Sequence, residues 1–508
     1  MTEMRLLLTT IESGCIHNKL ALKNMYSAVA DSPADVSVKE YPEEMTVGEM
    51  YDDIVRGGYD LVYFHTNMRI SSRIDSLAEL VKKAVPVVNI IVGGMEVSFG
   101  TRRYMEEHPE VDFVFRGEGE MILFSFVKTL LTYQFDFANI RGLAYRDNGT
   151  IFVNEFPEPV DFDNIPFPYE REELSSRDEI YYQSFRGNPD RCAYSQVLPD
   201  RTIRTLPLGR VCSELRYFLI KEVKSVTFIE KWFNYDVDRA YKIWDYLISN
   251  DNGVTTFIFD INGDYLDDET IRLLSGAREG LFEFNMDIES TNAEALDAVG
   301  RKANIYQLMY NVSKLLQASK VRINSYITAG LPYDTPQHFE RTFNKAYGLG
   351  TATLNIRILR LRKGTLLREE ADRFGYVYST RPPYQVIAND FMTAPELIRI
   401  KDVAKITGLY TGTDAFSQSL DRIFRDTGAR PYSFFSELAD YVQRNGLMKK
   451  TGRMDDLYRI LYAFAQRQYD SSNETLRLQV LMDVIHDDME KSMSPEEVKK
   501  FDRKGWEL

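Results

Sequence analysis

The sequence predicts an α/β protein of two successive strand–helix series followed by a helical C-terminal region, and three observations carry that reading. Short apolar runs alternate with amphipathic stretches through the first 135 residues, the alternation resumes from about Tyr181, and beyond Thr365 the apolar spacing turns helical. In the first series, residues 6–9 read as a buried strand. Residues 17–30 read as a helix with Leu20, Leu22, Met25 and Val29 at helical spacing. Residues 36–41 are a strand, 46–55 a helix, 61–64 a strand, 74–83 a helix, and 87–92 a strand ending at Gly93-Gly94. A fifth strand over 111–115 ends in the loop Arg116-Gly117-Glu118-Gly119-Glu120, ahead of a helix to about Tyr133. Such alternation implies a parallel sheet with helices on both faces, whose ligands bind at the carboxyl ends of the strands. The unusual residues stand there: Ser13-Gly14-Cys15, His65-Thr66-Asn67, Gly93-Gly94 and Gly117-Glu118-Gly119.

A hairpin is expected at 143–145 and 151–153, around the turn signal Asn148-Gly149. The Pro- and Asp-rich stretch 157–168 reads as a boundary. Six strands follow, at 181–184, 226–229, 256–260, 282–286, 322–328 and 354–361, separated by helix-sized segments. Six such units suggest a partial parallel barrel, with chemistry at the strand carboxyl ends. The expected domains are 1–135, a hairpin and linker at 136–175, the partial barrel at 176–365, and a helical extension at 366–508. That extension is broken at Pro382-Pro383 and carries a charged tail from Asp487.

Composition narrows the function. Apolar residues are 44% and charged residues 27% of the chain, an ordinary globular balance. The net charge of −14, with no basic run, argues against nucleic-acid or anionic-membrane partners. The apolar run over 85–92 is interrupted by Asn89 and falls far short of the ~18 residues of a membrane span. The apolar run near Met1 is too short for a signal peptide. Three cysteines, Cys15, Cys192 and Cys212, suit a reducing cytoplasm, the expected location.

No phosphate-binding glycine motif, HExxH or paired CxxC is present. Gly93-Gly94 would let backbone approach a ligand, or simply close a tight turn. His17, two residues after Cys15, is a candidate cofactor neighbour or a helix-start polar residue. The informative segment is Ser184-Phe185-Arg186-Gly187-Asn188-Pro189-Asp190-Arg191-Cys192-Ala193-Tyr194-Ser195. With Gly93 to Ser98, Arg116 to Glu120, Leu206-Pro207-Leu208, Phe233-Asn234, Ser290-Thr291-Asn292, Arg301, Gly330-Leu331-Pro332-Tyr333, Lys363-Gly364-Thr365 and Pro382-Pro383-Tyr384, it resembles the cobalamin-binding radical S-adenosylmethionine proteins. The resemblance implies a Rossmann-like cobalamin-binding-type domain, a radical-SAM-type partial (β/α)6 barrel and a helical C-terminal region. In that family an Arg-Gly-Cys-Pro-Phe-x-Cys-x-Tyr-Cys loop holds a four-iron cluster through its three cysteines. Here Asn188 and Ser195 stand at two of the three ligand positions and only Cys192 matches.

Other positions depart as well. Glu230-Lys231-Trp232 replaces Asp-Arg-Thr, Asn285-Met286-Asp287-Ile288-Glu289-Ser290 replaces Glu-Ile-Gly-Ile-Gln-Ser, and Tyr326 replaces an Asp. Hard, neutral donors are poor substitutes for thiolates on iron, so no 4Fe-4S cluster is expected and S-adenosylmethionine use is doubtful. Restoring Asn188→Cys and Ser195→Cys is expected to restore cluster uptake. The resemblance implies cobalamin as cofactor, with His17, Thr66, Asn67, Gly93, Gly94, Glu96, Gly117, Glu118 and Gly119 as its binding residues. Asn188, Cys192 and Ser195 form the degenerate loop, and Glu230, Lys231, Trp232, Asn285, Asp287 and Tyr326 line the barrel mouth. Two readings of these changes stay open: drift, or a mouth that binds a small substrate or partner directly. The functional expectation is a corrinoid-binding accessory subunit or pseudoenzyme acting with an intact radical SAM homologue or a small molecule. The alternatives are a cobalamin-dependent methyl-transfer enzyme without a cluster, and a radical enzyme with atypical cluster ligation.

Overall fold

The computed structural model describes residues 4–12, 16–190, 192–199, 201–469 and 475–506, with the side chains of 16–18, 475, 503 and 504 left out. The chain divides into two units. The first comprises Met1–Asp260, Arg360–Glu370 and Ser379–Gln385; the second comprises Ile261–Leu359, Ala371–Tyr378 and Val386–Leu508.

The first unit begins with strands and helices in alternation: β1 (Arg5–Ile11), α1 (Ile16–Val29), β2 (Asp35–Tyr41), α2 (Val47–Gly57), β3 (Leu61–His65), α3 (Ser71–Ala84), β4 (Asn89–Gly93), α4 (Met95–Ser98), α5 (Thr101–Glu107), β5 (Phe113–Phe115) and α6 (Glu120–Leu131). The expected hairpin forms as β6 (Leu143–Asp147) and β7 (Thr150–Val153). Asn148 and Gly149 take φ of 45° and 79°, the left-handed pair that a two-residue turn requires. The hairpin continues the first sheet, because β6 pairs antiparallel with β5, giving the order β2-β1-β3-β4-β5-β6-β7. The alternation of side chains along each strand splits the core in two. Leu7, Val62, Phe64, Ile90 and Val92 pack with Ile54, Ile74 and Leu77 on one face. Leu6, Leu8, Tyr63 and Ile91 pack with Leu22, Met25, Ile122 and Phe126 on the other.

The first unit then carries β8 (Glu179–Tyr182), β9 (Phe185–Arg186), β10 (Arg204–Thr205), α7 (Leu208–Ile220), β11 (Ser225–Phe228), α8 (Val237–Ser249) and most of β12 (Thr256–Ile261). β11 lies parallel to both β8 and β12. β9 and β10 pair antiparallel and bracket the segment 187–203.

The second unit, taken by itself, contains α9 (Asp268–Leu274), β13 (Phe282–Glu289), α10 (Ala293–Ala298), α11 (Ile305–Ala318), β14 (Arg322–Ala329), α12 (Pro336–Tyr347) and β15 (Thr353–Ile358). β14 is parallel to β13 and β15. The register of β13 on β14 shifts between Asp287 and Glu289, and Glu289 sits at φ 64°, so the strand end is bulged where the candidate residues lie.

Beyond Thr365 the chain is mostly but not wholly helical. A short helix, α13 (Leu366–Glu369), belongs to the first unit, and β16 (Val377–Tyr378) pairs antiparallel with β17 (Val386–Ala388) in the second. Then come α14 (Ala394–Thr411), α15 (Ser417–Thr427), α16 (Pro431–Arg444), α17 (Met454–Tyr469), α18 (Thr475–Ser492) and α19 (Pro495–Lys504). The charged stretch from Asp487 is built into these last two helices. Ile485, Met489 and Phe501 are buried, and Ser494 caps α19 in a reciprocal bond with Glu497. The sequence Ser494-Pro495-Glu496-Glu497 is a helix-start signal that charge counting alone overlooks. No helix among the described residues is long and apolar enough to cross a membrane.

Candidate functional site

At the carboxyl edge of the first sheet the candidate residues are held close together by backbone. The Thr66 N–H donates to the Gly93 carbonyl at 2.8 Å, and the Thr10 hydroxyl donates to the His65 carbonyl at 2.8 Å. Gly94 sits at φ 110°, and a Cβ there would come 2.2 Å from the Thr66 carbonyl oxygen. A Cβ on Gly93 would meet the Tyr63 hydroxyl at 2.2 Å. The protein's own packing therefore requires both glycines, whatever else they approach. The Thr66 hydroxyl is different: it is buried and has no hydrogen-bond partner among the described residues. A buried hydroxyl normally has one. Asn67 accepts from the Arg69 N–H at 2.7 Å. Cys15 and the side chain of His17 lie outside the described residues.

The acidic candidates are already paired. Glu96, buried, faces the Lys363 ammonium at 2.9 Å and accepts from the Tyr384 hydroxyl. Burial, reinforced by Glu96, pushes the Tyr384 phenol well above its ordinary range. Glu118 accepts from Arg204 at 3.0 Å and from the Val160 N–H at 3.3 Å, with Arg186 3.5 Å away. Burial alone would raise its pKa, but the Arg204 hydrogen bonds and the Arg186 and Arg204 charges outweigh burial and lower it. Arg186 also donates to Glu120 at 2.6 Å. Gly117 donates its N–H to Ser98 at 3.0 Å, and a Cβ on Gly119 would touch the Met25 sulfur at 3.0 Å.

The segment bracketed by β9 and β10 is organised around one carboxylate. Asp190 is buried; its N–H donates to Asn188 Oδ1 at 2.8 Å, and its Oδ1 accepts from the Cys192 N–H at 3.0 Å. Its Oδ2 accepts from the Ser195 hydroxyl at 3.2 Å and lies 3.8 Å from Lys231 Nζ. All three positions at which the resemblance places cluster ligands thus bond to Asp190. Glu230, buried, accepts from the backbone N–H groups of Ser184 and Phe185. Burial pushes its carboxyl up to about 7, against the pull of those N–H groups. Trp232 is buried at φ 52°, its N–H donating to Asp260 at 3.2 Å. Arg191 lies outside the described residues. Among the described residues no group of three or more His, Cys, Asp or Glu is placed to hold a metal ion. An amide, a thiol and a hydroxyl do not fit a four-iron cluster, which wants thiolates.

In the second unit, Asp287 is 2% exposed and meets the Arg357 guanidinium at 2.7 Å. Arg357 stacks on the Tyr326 ring at 3.8 Å, and the Tyr326 hydroxyl donates to Asn285 at 3.3 Å. Arg301 donates to the Asp287 carbonyl at 2.6 Å, and Thr328 to Glu289 at 2.6 Å. Sequence reasoning missed Asp190, Lys363, Tyr384, Arg204 and Arg357. Asp190 carried a signal, an acid in a loop whose family pattern has Phe there, and Lys363 and Tyr384 stood in segments that match the family without pointing to Glu96.

Residues 182–346 match the radical SAM superfamily, and residues 372–506 match a family described as a protein of unknown function (DUF4080). The chain is 24% identical over 340 residues to an uncharacterized methyltransferase of Pyrococcus horikoshii, PH0819, covering 65% of this chain and 73% of that protein. It is 23% identical over 329 residues to the cobalamin-dependent radical SAM methyltransferase TokK of Streptomyces tokunonensis, covering 58% and 45%. Its fold is similar to that of the cobalamin-dependent S-adenosylmethionine radical enzyme OxsB, solved with aqua-cobalamin and S-adenosylmethionine (TM-score 0.63, 12% identity, 100% and 85% covered). It is also similar to the radical S-adenosylmethionine methyltransferase TsrM of Kitasatospora setae, solved with cobalamin and a [4Fe-4S] cluster (TM-score 0.58, 16% identity, 74% and 76% covered). The match over residues 182–346 is to the radical SAM superfamily, and the likeness to the solved cobalamin-dependent proteins is one of fold.

Proposed function

We propose that the chain is a corrinoid-binding, cluster-independent relative of these proteins, acting as an accessory subunit or pseudoenzyme beside an intact radical SAM homologue or on a small molecule. The observation that carries this reading is the loop Asn188–Cys192–Ser195: one thiol for three ligand positions, all bonded to Asp190. The corrinoid is supported by the similarity to proteins solved with cobalamin and by the buried Thr66 hydroxyl at the sheet edge, which has no hydrogen-bond partner among the described residues. Thr66, Asn67, Gly94 and the 117–119 loop would hold it, with Thr66 donating a hydrogen bond. When bound, a corrinoid supplies a cobalt centre able to accept and donate a methyl group. A second reading, methyl transfer without a cluster, is favoured by the two relatives named as methyltransferases.

Anaerobic purification with cobalamin and iron supplied, followed by cobalt and iron analysis, tests both. Cobalt is expected with no stoichiometric iron. About four irons per chain, lost on Cys192→Ala, would establish atypical cluster ligation instead. No binding of cobalamin in equilibrium dialysis would remove the corrinoid and leave a structural role for the first domain.

A further inference from the structure

We propose that Asp190 has replaced the iron–sulfur cluster as the structural centre of the 187–195 loop, locking it in a metal-free form. The proposal deepens the cluster-independent reading and rests on it. Besides Glu230 for Asp and Trp232 for Thr, four positions in and beside this loop differ from the family pattern: Asn188 and Ser195 for Cys, Asp190 for Phe, and Lys231 for Arg. They are not scattered. Asn188 Oδ1 accepts from the Asp190 N–H, Ser195 donates to the Asp190 carboxylate, and Lys231 faces the same carboxylate oxygen at 3.8 Å. Cys192, the residue that did not change, contributes its backbone N–H to the carboxylate. Independent drift at four sites does not generally yield one interlocked set, because a buried carboxylate is tolerated only when its oxygens are bonded and its charge is faced by a cation.

The lock is anchored at its root as well. Glu230, the neighbour of Lys231, grips the backbone of Ser184 and Phe185, and the Gly187 backbone at φ 105° leaves no room for a Cβ beside the Thr202 carbonyl. Two consecutive residues after β11 therefore hold the loop, Glu230 at its start and Lys231 at its middle. A thiolate-bound cluster put in this place would carry negative charge against the Asp190 carboxylate. Like charges in a buried site strongly disfavour one another. Restoring Asn188→Cys and Ser195→Cys is then not sufficient for cluster uptake, because Asp190 still occupies the centre.

The test compares two variants of the full chain under anaerobic reconstitution with iron and sulfide. N188C/S195C is expected to bind at least about tenfold less iron than N188C/D190F/S195C, a like-charge penalty at reduced dielectric. Equal iron in the two would overturn the lock. A second measurement needs no cluster: amide hydrogen exchange over 185–198 in the unreconstituted protein. Asp190→Ala is expected to speed exchange at the Cys192 amide by about tenfold, the loss of one charge-assisted bond. Asp190→Asn, which keeps an acceptor and the side-chain size, is expected to have a smaller effect and serves if the alanine variant fails to fold. Unchanged exchange in both would overturn the proposal. Cobalt binding by the wild type is a separate readout, so failure of the corrinoid reading and failure of the lock are distinguishable.

Discussion

Thr66 and Gly94 touch each other, yet substitution at each tests a different thing. Because Gly94 is at φ 110° with the Thr66 carbonyl 2.2 Å from any added Cβ, Gly94→Ala is expected to destabilise the fold by about 2 kcal/mol or more, read as a lowered urea midpoint. A loss of corrinoid binding in Gly94→Val would therefore say little about the ligand. Thr66→Val is the cleaner probe, since it deletes a hydroxyl that has no hydrogen-bond partner among the described residues. Its stability is expected to be unchanged or slightly higher, while cobalamin affinity falls about tenfold in equilibrium dialysis. Glu230 gives the pH prediction. Its carboxyl, raised from 4.5 to about 7 by burial, keeps in the folded state a proton that the unfolded chain releases. The stability it contributes is thus present below about pH 4.5, falls as pH rises to about 7, and levels off above that. Glu230→Gln removes this dependence. Its stability relative to wild type is expected to grow by on the order of 3 kcal/mol between pH 4.5 and pH 8 in urea titrations. Parallel profiles for the two proteins would contradict the shift.

At the scale of elements, Arg186 ties β9 to the first turn of α6 and the loop before it. Its guanidinium is buried, bonded to Glu120 at 2.6 Å and 3.5 Å from Glu118. Arg186→Met would remove the cation bonded to the buried Glu120 and leave Glu118 with Arg204. It is expected to cost about 3–5 kcal/mol in chemical denaturation, with the loss reduced in Arg186→Met/Glu120→Gln. This clamp was not legible beforehand: Glu118 and Glu120 read as helix N-terminal acids or ligand contacts, and their partner is 66 residues from Glu120. The strands of the first sheet were legible, because Leu6, Leu7 and Leu8 or Val62, Tyr63 and Phe64 can be buried only on a strand covered on both faces. The Asn148-Gly149 turn was legible for an equally local reason, its left-handed backbone. That the hairpin would join the first sheet was not, since edge pairing is decided by what lies beside β5.

For the whole molecule, departures from the family pattern occur in both units. The first holds Asp190 at the loop centre; the second holds the buried Asp287, paired with Arg357, where the pattern has Gly. Even with a cluster restored in N188C/D190F/S195C, 5′-deoxyadenosine formation with dithionite is expected to stay ~10²-fold or more below that of an intact homologue, since a cluster alone does not position the nucleoside. Adding Asp287→Gly should raise it if that side chain is the obstacle. The sequence by itself determined the two strand–helix series, the helical C-terminal region and the presence of Asn188 and Ser195 where the resemblance places thiolates, because period, turn chemistry and ligand identity are local properties. Only the tertiary structure decided what the replacements do. Glu96, Glu118, Glu230 and Asp287 read as ligand-facing acids, yet each is bonded to Lys363, to Arg204, to the Ser184 and Phe185 backbone, or to Arg357. Asp190 joins four substitutions into one network for the same reason. A buried charge must find its partner in space, and spacing along the chain does not say where that partner is.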